Sequence, residues 1–488
     1  MNEFTIFDIL YPKKKITKPI RLIELFGGYG SQALALKYLG VKFEHWKLVE
    51  WAVKSIQAYK DIHFPNQSAL LIGLNKEQEV ERLYKQGISS NYNEPMTKEQ
   101  INRLSLQQIY KITENNIITH NLVNIQQVKG KDLEIVDIDK YEYIMTYSFP
   151  CQDLSLAGKG KGMSDTSTRS GMLWEVERIL GECEHKPQIL LMENVPQVHS
   201  EDNLNDFNKW KLRLEEFGYK NYFQDLIATD YGIPQTRNRC FMISLLGDYS
   251  YTFPKPISLK LKLKDMLENN VDEKYYLSDK MIKYITSKDD KYKVNENNLV
   301  INRDIACSKT TREGNTRADT TDYICDELPN NYKLLNLASD ELLKNNKVKE
   351  NDVLLTNFIS RRIKENDIIQ NNNITPTLTT SATEIAVVVN KPHKIGSLYE
   401  DKQAGSIYSE NAMCPTLTTK SSDNWNILLE QNDLRIRKLT PKECFRLMGV
   451  RDEDYERVAK NQSDSSLYHL AGDSIVVNVL MAIFKELL

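Results

Sequence analysis

The stretch RLIELFGGYGSQALALKYLG, residues 21–40, decides the fold of this 488-residue chain. Its apolar start predicts a buried β-strand, which ends at the glycine-rich turn GGYG. From about Ser31 the pattern predicts a helix that stops at Gly40. A strand, a glycine turn and a helix in this order present backbone amides and the positive end of a helix to a charged or polar ligand. The same turn also occurs in purely structural roles.

A second apolar run, HWKLVEW, ends at Glu50 and Trp51, about 20 residues after the glycine turn. An acid at the end of this strand is typical of sites that bind the ribose of a nucleoside cofactor. The turn reads Phe-x-Gly-x-Gly and lacks the third glycine of the dinucleotide pattern. This difference argues against a nicotinamide-dependent oxidoreductase.

Strand-like and helix-like segments alternate further along the chain, which predicts an α/β domain with a mainly parallel sheet and helices on both faces. The strand-like segments are 141–148, 187–195 and 239–246, and the helix-like segments are 171–180 and 205–218. A polar stretch, about 70–118, interrupts this alternation. Thr97 and Gln100 have the spacing of a capping box there, so we expect a helical insertion.

The sequence pattern changes after Phe253. Residues 290–435 are rich in Asn, Thr and Asp and show no sustained helical period, which predicts a loop-rich domain with short strands. Helical signals return near the C-terminus, where Thr440 begins a well-capped helix and the last apolar stripe predicts a helix that docks on a core. We therefore predict domains at 1–258, 259–432 and 433–488, with the last segment returning to the first domain.

Composition excludes several classes of protein. Hydrophobic residues make up 41% and charged residues 27% of the chain, as in globular proteins. No apolar run approaches the ~18 residues of a membrane span and the N-terminus does not resemble a secretory signal, so we expect a cytoplasmic protein without membrane contact. The seven cysteines show no metal-ligand spacing, which predicts free thiols and no metal.

The net charge of −3 gives no general support for a nucleic-acid partner. Such a partner requires a local basic face, because phosphate contacts are local. One candidate stretch carries four lysines, although lysines in this pattern also form ordinary solvated faces. They are Lys255, Lys260, Lys262 and Lys264.

Three short motifs lie at or near strand ends, where open parallel sheets bind their ligands. Cys151 follows one strand, Glu193 ends another, and Arg237 and Arg239 alternate before a third. Taken singly, these residues have ordinary interpretations as a buried thiol, a solvated cap and surface ion pairs. The glycines and lysines of residues 158–162 favour a mobile cationic loop beside Cys151 that closes over an anionic polymer.

In this order, the motifs resemble those of the DNA cytosine-5 methyltransferase family. The motifs are ELFGGYG, SFPCQDLS, LMENV, QTRNR, RKLTPKECFRLMG and GDSIVVNVL. The resemblance covers about residues 20–250 and 433–488. It implies a Rossmann-like domain that depends on S-adenosylmethionine, with the smaller loop-rich domain inserted before the C-terminal helices as a target-recognition domain.

The resemblance implies an enzyme that methylates carbon 5 of cytosine. That carbon is too weak a nucleophile to take a methyl group unaided, so the Cys151 thiolate would add to carbon 6 and form a covalent adduct. Glu193 would bond N3 and the exocyclic amine, while Arg239 and Arg237 would hold O2. The cytosine would be flipped out of duplex DNA, because these atoms are inaccessible in the stack.

The resemblance also implies a set of residues for the cofactor and its product, S-adenosylhomocysteine. Two of them depart from the family pattern: Asn124 stands where an aspartate is usual, and Asp473 where an asparagine is usual. The implied residues are Phe26, Gly28, Gly30, Glu50, Trp51, Asn124, Ile125, Pro150, Leu173 and Asp473.

Two alternatives remain at this point: a tRNA cytosine-5 methyltransferase of the same fold, and a DNA-binding homologue without catalysis. The large domain between Arg239 and Arg435 favours duplex DNA over tRNA, and the intact Cys151, Glu193 and Arg239 favour an enzyme. We expect a monomer that binds double-stranded DNA. A cognate restriction endonuclease that acts on the same site is a candidate partner.

Overall fold

A six-stranded sheet forms the centre of the computed structural model. The strands are β1 (Ile20–Leu25), β2 (Phe43–Val49), β3 (Glu142–Tyr147), β4 (Ile189–Asn194), β5 (Tyr219–Ile227) and β6 (Asn238–Leu246). The structure describes residues 12–71, 73–150, 170–275, 299–301, 321–323, 353–357, 368–369, 383–387, 394–397, 406–408, 427–430 and 435–488.

Helices connect and flank these strands. In the first half of the chain they are α1 (Ser31–Tyr38), α2 (Val53–His63), α3 (Lys76–Gln86), α4 (Lys98–Asn102), α5 (Leu106–Ile118), α6 (Leu173–Glu182) and α7 (Leu204–Glu216). The last part of the chain forms α8 (Pro441–Leu447), α9 (Asp452–Ala459), α10 (Asp464–Asp473) and α11 (Val477–Leu487).

The strand order of the sheet is β2-β1-β3-β4-β6-β5. Strand β1 pairs in parallel with β2 and β3, and β3 pairs in parallel with β4. Strand β6 runs antiparallel to both of its neighbours. The prediction of a mainly parallel α/β sheet is therefore confirmed, and the carboxyl ends of β1 to β4 meet at one edge.

The main hydrophobic core packs α6 and α7 against one face of the sheet. Its largest side chains, Tyr147, Phe207 and Trp210, are fully buried. The indole Nε1 of Trp210 donates to the Tyr147 hydroxyl over 3.2 Å, so the one polar group of this indole is satisfied. The bounds of α6 and α7 agree closely with the helix-like segments predicted at residues 171–180 and 205–218.

The predicted insertion forms three helices, α3 to α5, around a small core of its own. Leu83, Ile88 and Ile101 are fully buried in this second core, and the half-buried Trp51 packs against it. Thr97 and Gln100 form the predicted capping box at the start of α4. The insertion thus contacts the segment that follows β2.

By its internal contacts the chain divides into two compact units: residues 1–233, 238–258 and 448–488, and residues 234–237 and 259–447. The second unit contains short strands, as the sequence predicts for this region. They are β7 (Leu299–Ile301), β8 (Thr321–Tyr323), β9 (Val353–Asn357), β10 (Ile368–Ile369), β11 (Thr383–Val387), β12 (Lys394–Ser397), β13 (Ser406–Tyr408), β14 (Ile427–Glu430) and β15 (Arg435–Lys438). The domain boundaries at 258 and 432 remain predictions.

The strands of the second unit form three small sheets. Strand β9 lies between β10 and β11, β7 pairs with β8, and the third sheet has the order β12-β13-β14-β15. The second unit also contains α8, which begins with the predicted capping box. There the Thr440 hydroxyl accepts from the Glu443 amide over 3.2 Å, and the Glu443 carboxylate accepts from the Thr440 amide over 2.7 Å.

The apolar C-terminal segment belongs to the core of the first unit. Among the described residues, one stretch, Asp464–Leu487, is long and apolar enough to cross a membrane. The break between α10 and α11 divides it, and 72% of its most apolar window is buried inside the protein. The predicted stripe on this segment is buried throughout: Ile475, Val479, Ile483 and Leu487.

Candidate active site

The glycine turn joins the end of β1 to the start of α1 at the carboxyl edge of the sheet. The Phe26 amide donates to the Val49 carbonyl over 2.8 Å, which fixes the turn against β2. Phe26, Gly28 and Gly30 all have positive φ angles, of 56°, 55° and 83°. A Cβ atom added at Gly30 would lie 2.4 Å from His63 Nε2, whereas one added at Gly28 would meet no atom within 4 Å. Gly28 therefore faces open space.

A buried polar network lies beneath the turn. The Glu24 carboxylate, 1% exposed, accepts from the Tyr59 hydroxyl over 2.5 Å and from the Ala33 amide over 3.3 Å. His45 Nδ1 is 2.8 Å from the same hydroxyl, and His63 Nε2 is 3.0 Å from the Tyr29 carbonyl. Burial raises the pKa of Glu24 to about 7 and lowers the pKa of His45 to about 4.

Glu50, at the end of β2, supports the turn from the other side. Its two carboxylate oxygens accept from the Gly28 amide over 3.0 Å and the Ala52 amide over 2.8 Å. Burial raises the pKa of Glu50 to about 7; the two amides partly offset the rise, and Asp473 adds to it. The role of Glu50 as an acceptor for ribose hydroxyls remains a prediction, and the structure shows in addition that this carboxylate braces the glycine turn.

A small, partly open cleft with a cavity volume of about 30 Å³ lies above the glycine turn. Of the residues predicted for the cofactor, Phe26, Gly28 and Asp473 line this cleft. The cleft is also lined by residues that sequence reasoning missed: Gly27, Tyr29, Ser31, Gln32, Ser55, Ser148, Leu470, Ser474 and Ile475. Three of them, Ser31, Gln32 and Ser55, are polar residues near the starts of α1 and α2. No local signal identifies the others, because α2 and α10 approach the turn only in the folded chain.

The remaining predicted cofactor residues lie outside the lining of this cleft. Asn124 Oδ1 accepts from the Gln126 amide over 3.0 Å, and the neighbouring Ile125 is 6% exposed. Leu173, the first residue of α6, is fully buried in the main core. Pro150 is half-buried at the end of a described stretch. Their cofactor roles, like that of Trp51, remain predictions.

Two of the predicted catalytic residues meet at the end of the sheet. Glu193 lies on β4, and Arg239 lies on the adjacent antiparallel β6, two residues from the direct partner of Glu193. Arg239 Nε is 3.2 Å from Glu193 Oε1, and the two side chains are 16% and 9% exposed. Arg239 Nη1 also donates to the Asn238 carbonyl over 2.8 Å. The pair is an oriented carboxylate and guanidinium, able to bond both edges of a flat polar ligand.

The chain that leads to Cys151 is tied to the same strand end. The Asn194 side-chain amide, next to Glu193, donates to the Phe149 carbonyl over 3.0 Å. Ser148, one residue earlier, lines the cleft. Cys151 and the lysine–glycine stretch after it lie outside the described residues. The last described residues before this gap thus lie beside the cleft and next to the strand end that carries Glu193.

Arg237 and the four lysines predicted to contact DNA differ in burial. Arg237 is buried, 4% exposed, and belongs to the second unit. Lys255 and Lys260 are exposed and Lys262 is half-buried, while the Lys264 side chain lies outside the description. The roles predicted for these residues remain predictions.

One group of potential metal ligands occurs among the described residues: His199, Asp225 and Cys240, whose ligand atoms lie within 4.8 Å of one another. His199 Nε2 is 2.9 Å from Asp225 Oδ1. Burial raises the pKa of the Cys240 thiol, and Asp225 raises it further by accepting its hydrogen bond. Hydrogen bonds therefore account for this cluster, and the expected absence of a metal remains a prediction.

Comparison with known proteins gives consistent matches. A family model described as C-5 cytosine-specific DNA methylase matches residues 84–488. The Type II methyltransferase M2.ScrFI of Lactococcus lactis subsp. cremoris is 29% identical over 96% of this chain and 99% of its own length. The Orphan methyltransferase M.SssI of Spiroplasma monobiae is 35% identical over 61% of this chain and 76% of its own length.

Among solved structures, the Entamoeba histolytica methyltransferase EhMeth has a similar fold. The TM-score is 0.51 at 12% sequence identity, and the alignment covers 96% of this chain and 98% of that protein. At this identity the similarity concerns the fold alone. It agrees with the α/β architecture that the sheet order indicates.

Proposed function

Since the chain belongs to the C-5 cytosine-specific DNA methylase family, we propose that Cys151, Glu193 and Arg239 carry out the methylation of cytosine at carbon 5. The protein is a DNA cytosine-5 methyltransferase, and its family uses S-adenosylmethionine. The proposal concerns which residues act and how. The observation that carries it is the 3.2 Å pair of Glu193 and Arg239 at the strand end beside the chain that leads to Cys151.

In this proposal the Cys151 thiolate attacks carbon 6 of cytosine, and the new S–C6 bond makes carbon 5 nucleophilic. Glu193 in its protonated form donates to N3 and accepts from the exocyclic amine, which draws electrons from the ring, and Arg239 donates to O2 as negative charge develops there. The bound cofactor supplies the methyl group from its sulfonium. Water then takes the proton from carbon 5, the C–H electron pair forms the C5–C6 double bond, and the thiolate leaves carbon 6, which releases 5-methylcytosine.

The residues around the glycine turn fit this cofactor. Gly28 faces open space at the cleft, so backbone can approach a ligand closely there. The Asp473 carboxylate lines the cleft and suits a ligand with an amino group and a sulfonium. Phe26 offers an aromatic ring beside the same space. Glu50 holds the Gly28 amide in place, and each of its oxygens retains a lone pair for a ribose hydroxyl.

Further parts of the proposal concern partners and location. We propose that the enzyme acts as a monomer on double-stranded DNA, flips its target base, and needs no metal. The family match favours DNA over tRNA as the substrate. The domain between Arg239 and Arg435 serves as the target-recognition domain, and Arg237 assists at O2. Type II relatives support a cytoplasmic enzyme with a restriction endonuclease as a candidate partner.

Bisulfite sequencing of DNA from cells that express the protein tests the assignment. Wild-type protein should protect cytosines in one short sequence context. Cys151→Ala should give no protection, whereas Cys183→Ala should protect normally, because the Cys183 thiol is buried and burial raises its pKa to about 11. Protection by Cys151→Ala would refute the nucleophile. Methylation found only in cellular RNA would instead favour the tRNA alternative.

A further inference from the structure

The inserted segment reaches the C-terminal part of the first unit beside the cofactor cleft. The ring of Tyr92, between α3 and α4, lies against the imidazole of His469 on α10, with 3.8 Å between ring centroids. His469 Nε2 is 3.0 Å from Asp473 Oδ2, one helical turn further on. Asp473 lines the cleft. A continuous chain of contacts therefore runs from the insertion to a carboxylate at the cleft wall.

Tyr92 is held from several sides. Its φ angle of 62° is uncommon for a bulky residue, which indicates that tertiary contacts fix its backbone. Burial raises the pKa of its phenol, and the hydroxyl groups of Ser55 and Ser466 partly offset this rise. Ser55 lines the cleft from α2, and Ser466 lies on α10. Tyr92 thus links the insertion to two elements of the cofactor site.

The backbone of the insertion is anchored to the same site. The Ser89 amide donates to the Trp51 carbonyl over 2.7 Å, and the Val53 amide donates to the Ser89 carbonyl over 2.9 Å. These bonds attach the insertion to the segment that follows Glu50. The point of attachment, Ser89, lies three residues before Tyr92. The position of Tyr92 relative to the cleft is therefore set by hydrogen bonds as well as by packing.

The charge of the cleft affects which ligand it binds more tightly. Asp473 lines the cleft and is close enough to Glu50 to raise the pKa of that carboxyl. Within the described part of the chain, the cleft-lining residues include neither lysine nor arginine. The cofactor carries a sulfonium charge that its product lacks. A carboxylate at the cleft wall therefore interacts more favourably with the cofactor than with the product.

We propose that Tyr92 and His469 are positioning residues that hold the Asp473 carboxylate at the cofactor cleft, and that this carboxylate makes the cleft prefer S-adenosylmethionine over S-adenosylhomocysteine. The inference rests on the proposed use of this cleft for the cofactor. It assigns the insertion a part in product release, because a product without the sulfonium loses this attraction once the methyl group has left.

The preference depends on pH through the groups that face Asp473. These groups are His469 on the same helix, Glu50 from the end of β2, and Tyr92 from the insertion. Glu50, with a pKa of about 7, gains its negative charge as the pH rises through that value. The cleft then becomes more negative, so the preference for the cofactor increases with pH.

Calorimetric titration of the full chain with each ligand tests the inference without an activity assay. The measured quantity is the ratio of the Kd for S-adenosylhomocysteine to the Kd for S-adenosylmethionine. Asp473→Asn should lower this ratio at pH 8 by about three- to tenfold. Asp473 has a side chain that is 46% exposed at the end of α10, so the variant should fold. Glu453→Gln, at an exposed position on α9 that does not line the cleft, is the matched control and should leave the ratio unchanged.

Variants of the positioning residues complete the test. Tyr92→Ala should lower the ratio of the two Kd values, as Asp473→Asn does. Tyr92→Phe keeps the ring, so its ratio should stay close to that of wild type. Tyr84→Ala, at a 47% exposed tyrosine of the insertion, is the control. His469→Ala should lower the ratio in the same direction as Tyr92→Ala, and Glu50→Gln should flatten the dependence of the ratio on pH.

The outcomes separate the inference from the proposed function. If wild-type protein binds both ligands and neither Asp473→Asn nor Tyr92→Ala changes the ratio, the inference is wrong and the cofactor site stands. If wild-type protein binds neither ligand, the assignment of the cofactor site fails, and the inference fails with it.

Discussion

The ion pair of Glu193 and Arg239 is the most informative residue-scale feature of the site. Both side chains are largely shielded from solvent, and their antiparallel strands hold them at 3.2 Å. A buried pair of this kind contributes little net stability, because desolvation offsets most of the attraction. In the proposed mechanism the pair matters for preorganisation, because it holds a carboxyl group and a guanidinium in fixed positions for N3 and O2 of a cytosine ring.

Arg239→Ala should lower kcat by about 100- to 1,000-fold, the usual effect of removing a donor that stabilises developing charge. Steady-state methylation assays over a range of DNA concentrations measure it. Arg213→Ala removes an arginine that forms a surface ion pair with Glu177 at 2.6 Å, and it should leave kcat within about twofold of wild type. A kcat for Arg239→Ala close to that of wild type would show that Arg239 does not act at the reacting ring.

Glu24 gives a prediction about pH. Burial raises the pKa of Glu24 from 4.5 to about 7, so the folded protein favours the neutral carboxyl. The contribution of this group to stability is fully present below about pH 4.5 and is lost as the pH rises through about 7, on the order of 3 kcal/mol in all. Glu24→Gln should therefore show a smaller decrease of the unfolding free energy between pH 5 and 8 than wild type.

Urea denaturation at several pH values measures this decrease. Glu201→Gln replaces an exposed carboxylate and should follow the wild-type curve. Parallel curves for wild type and Glu24→Gln would mean that Glu24 does not titrate in this range.

At the scale of elements, the glycine turn contributes Phe26, Gly27, Gly28 and Tyr29 to the lining of the proposed cofactor cleft. Gly30 and Gly40 both have positive φ angles, of 83° and 72°, but only Gly30 is enclosed. A Cβ atom at Gly30 would lie 2.4 Å from His63 Nε2 and 2.6 Å from Tyr59 Cε2, whereas one at Gly40 would meet nothing within 4 Å. A comparison of alanine variants at the two positions therefore separates the cost of backbone strain from the cost of steric collision.

Gly40→Ala should cost about 1 kcal/mol of unfolding free energy, from the left-handed backbone alone. Gly30→Ala should cost about 3 kcal/mol or more, because overpacking adds to that strain, and it should also weaken binding of S-adenosylmethionine. Denaturant unfolding and calorimetry measure the two effects. Equal costs at the two positions would contradict the close packing of His63 and Tyr59 against the turn.

The sequence predicted the elements with strong local signals and missed those without them. The capping boxes at Thr97 and Thr440 and the strand-turn-helix unit at residues 21–40 were correctly predicted, because each depends on residues close in the chain. Strand β5 was missed. It is an edge strand with the polar sequence YKNYFQDLI, so neither a continuous apolar run nor a clean alternation identifies it.

For the candidate site, too, sequence reasoning did not find contacts between residues that are distant in the chain. Glu193 and Arg239 lie 3.2 Å apart because adjacent strands of one sheet carry them, and the sequence linked the two residues only through the family resemblance. The contact of Tyr92 with His469 joins distant parts of the chain, and no local pattern encodes such a contact. The bracing of the glycine turn by Glu50 likewise depends on the register of β1 and β2.

At the scale of the first unit, two hydrophobic cores have different relations to the cofactor site. Leu214 on α7 is fully buried in the main core, and Leu83 on α3 is fully buried in the core of the insertion. Trp51, which follows Glu50, packs against the second core. The main core also touches the cleft through Phe26, but Leu214 lies on α7, which contributes no residue to the cleft lining. Damage at Leu83 should therefore reach the proposed cofactor site more directly than damage at Leu214.

Leu83→Ala and Leu214→Ala should each lower the unfolding free energy by about 2–5 kcal/mol. Leu83→Ala should in addition weaken binding of S-adenosylmethionine under conditions in which both variants remain folded. Denaturant unfolding and calorimetry at one temperature make the comparison. Stronger loss of binding in Leu214→Ala would contradict a special link between the insertion and the cofactor site.

The covalent bond between Cys151 and cytosine is the central claim, and trapping it is the most direct test. Duplex DNA with 5-fluorocytosine at the target position should form an adduct with the wild-type enzyme and S-adenosylmethionine, because fluorine cannot leave carbon 5 as a proton does. Denaturing electrophoresis should show a protein–DNA band for wild type and none for Cys151→Ala. A wild-type enzyme that methylates ordinary DNA yet forms no such band would contradict the account.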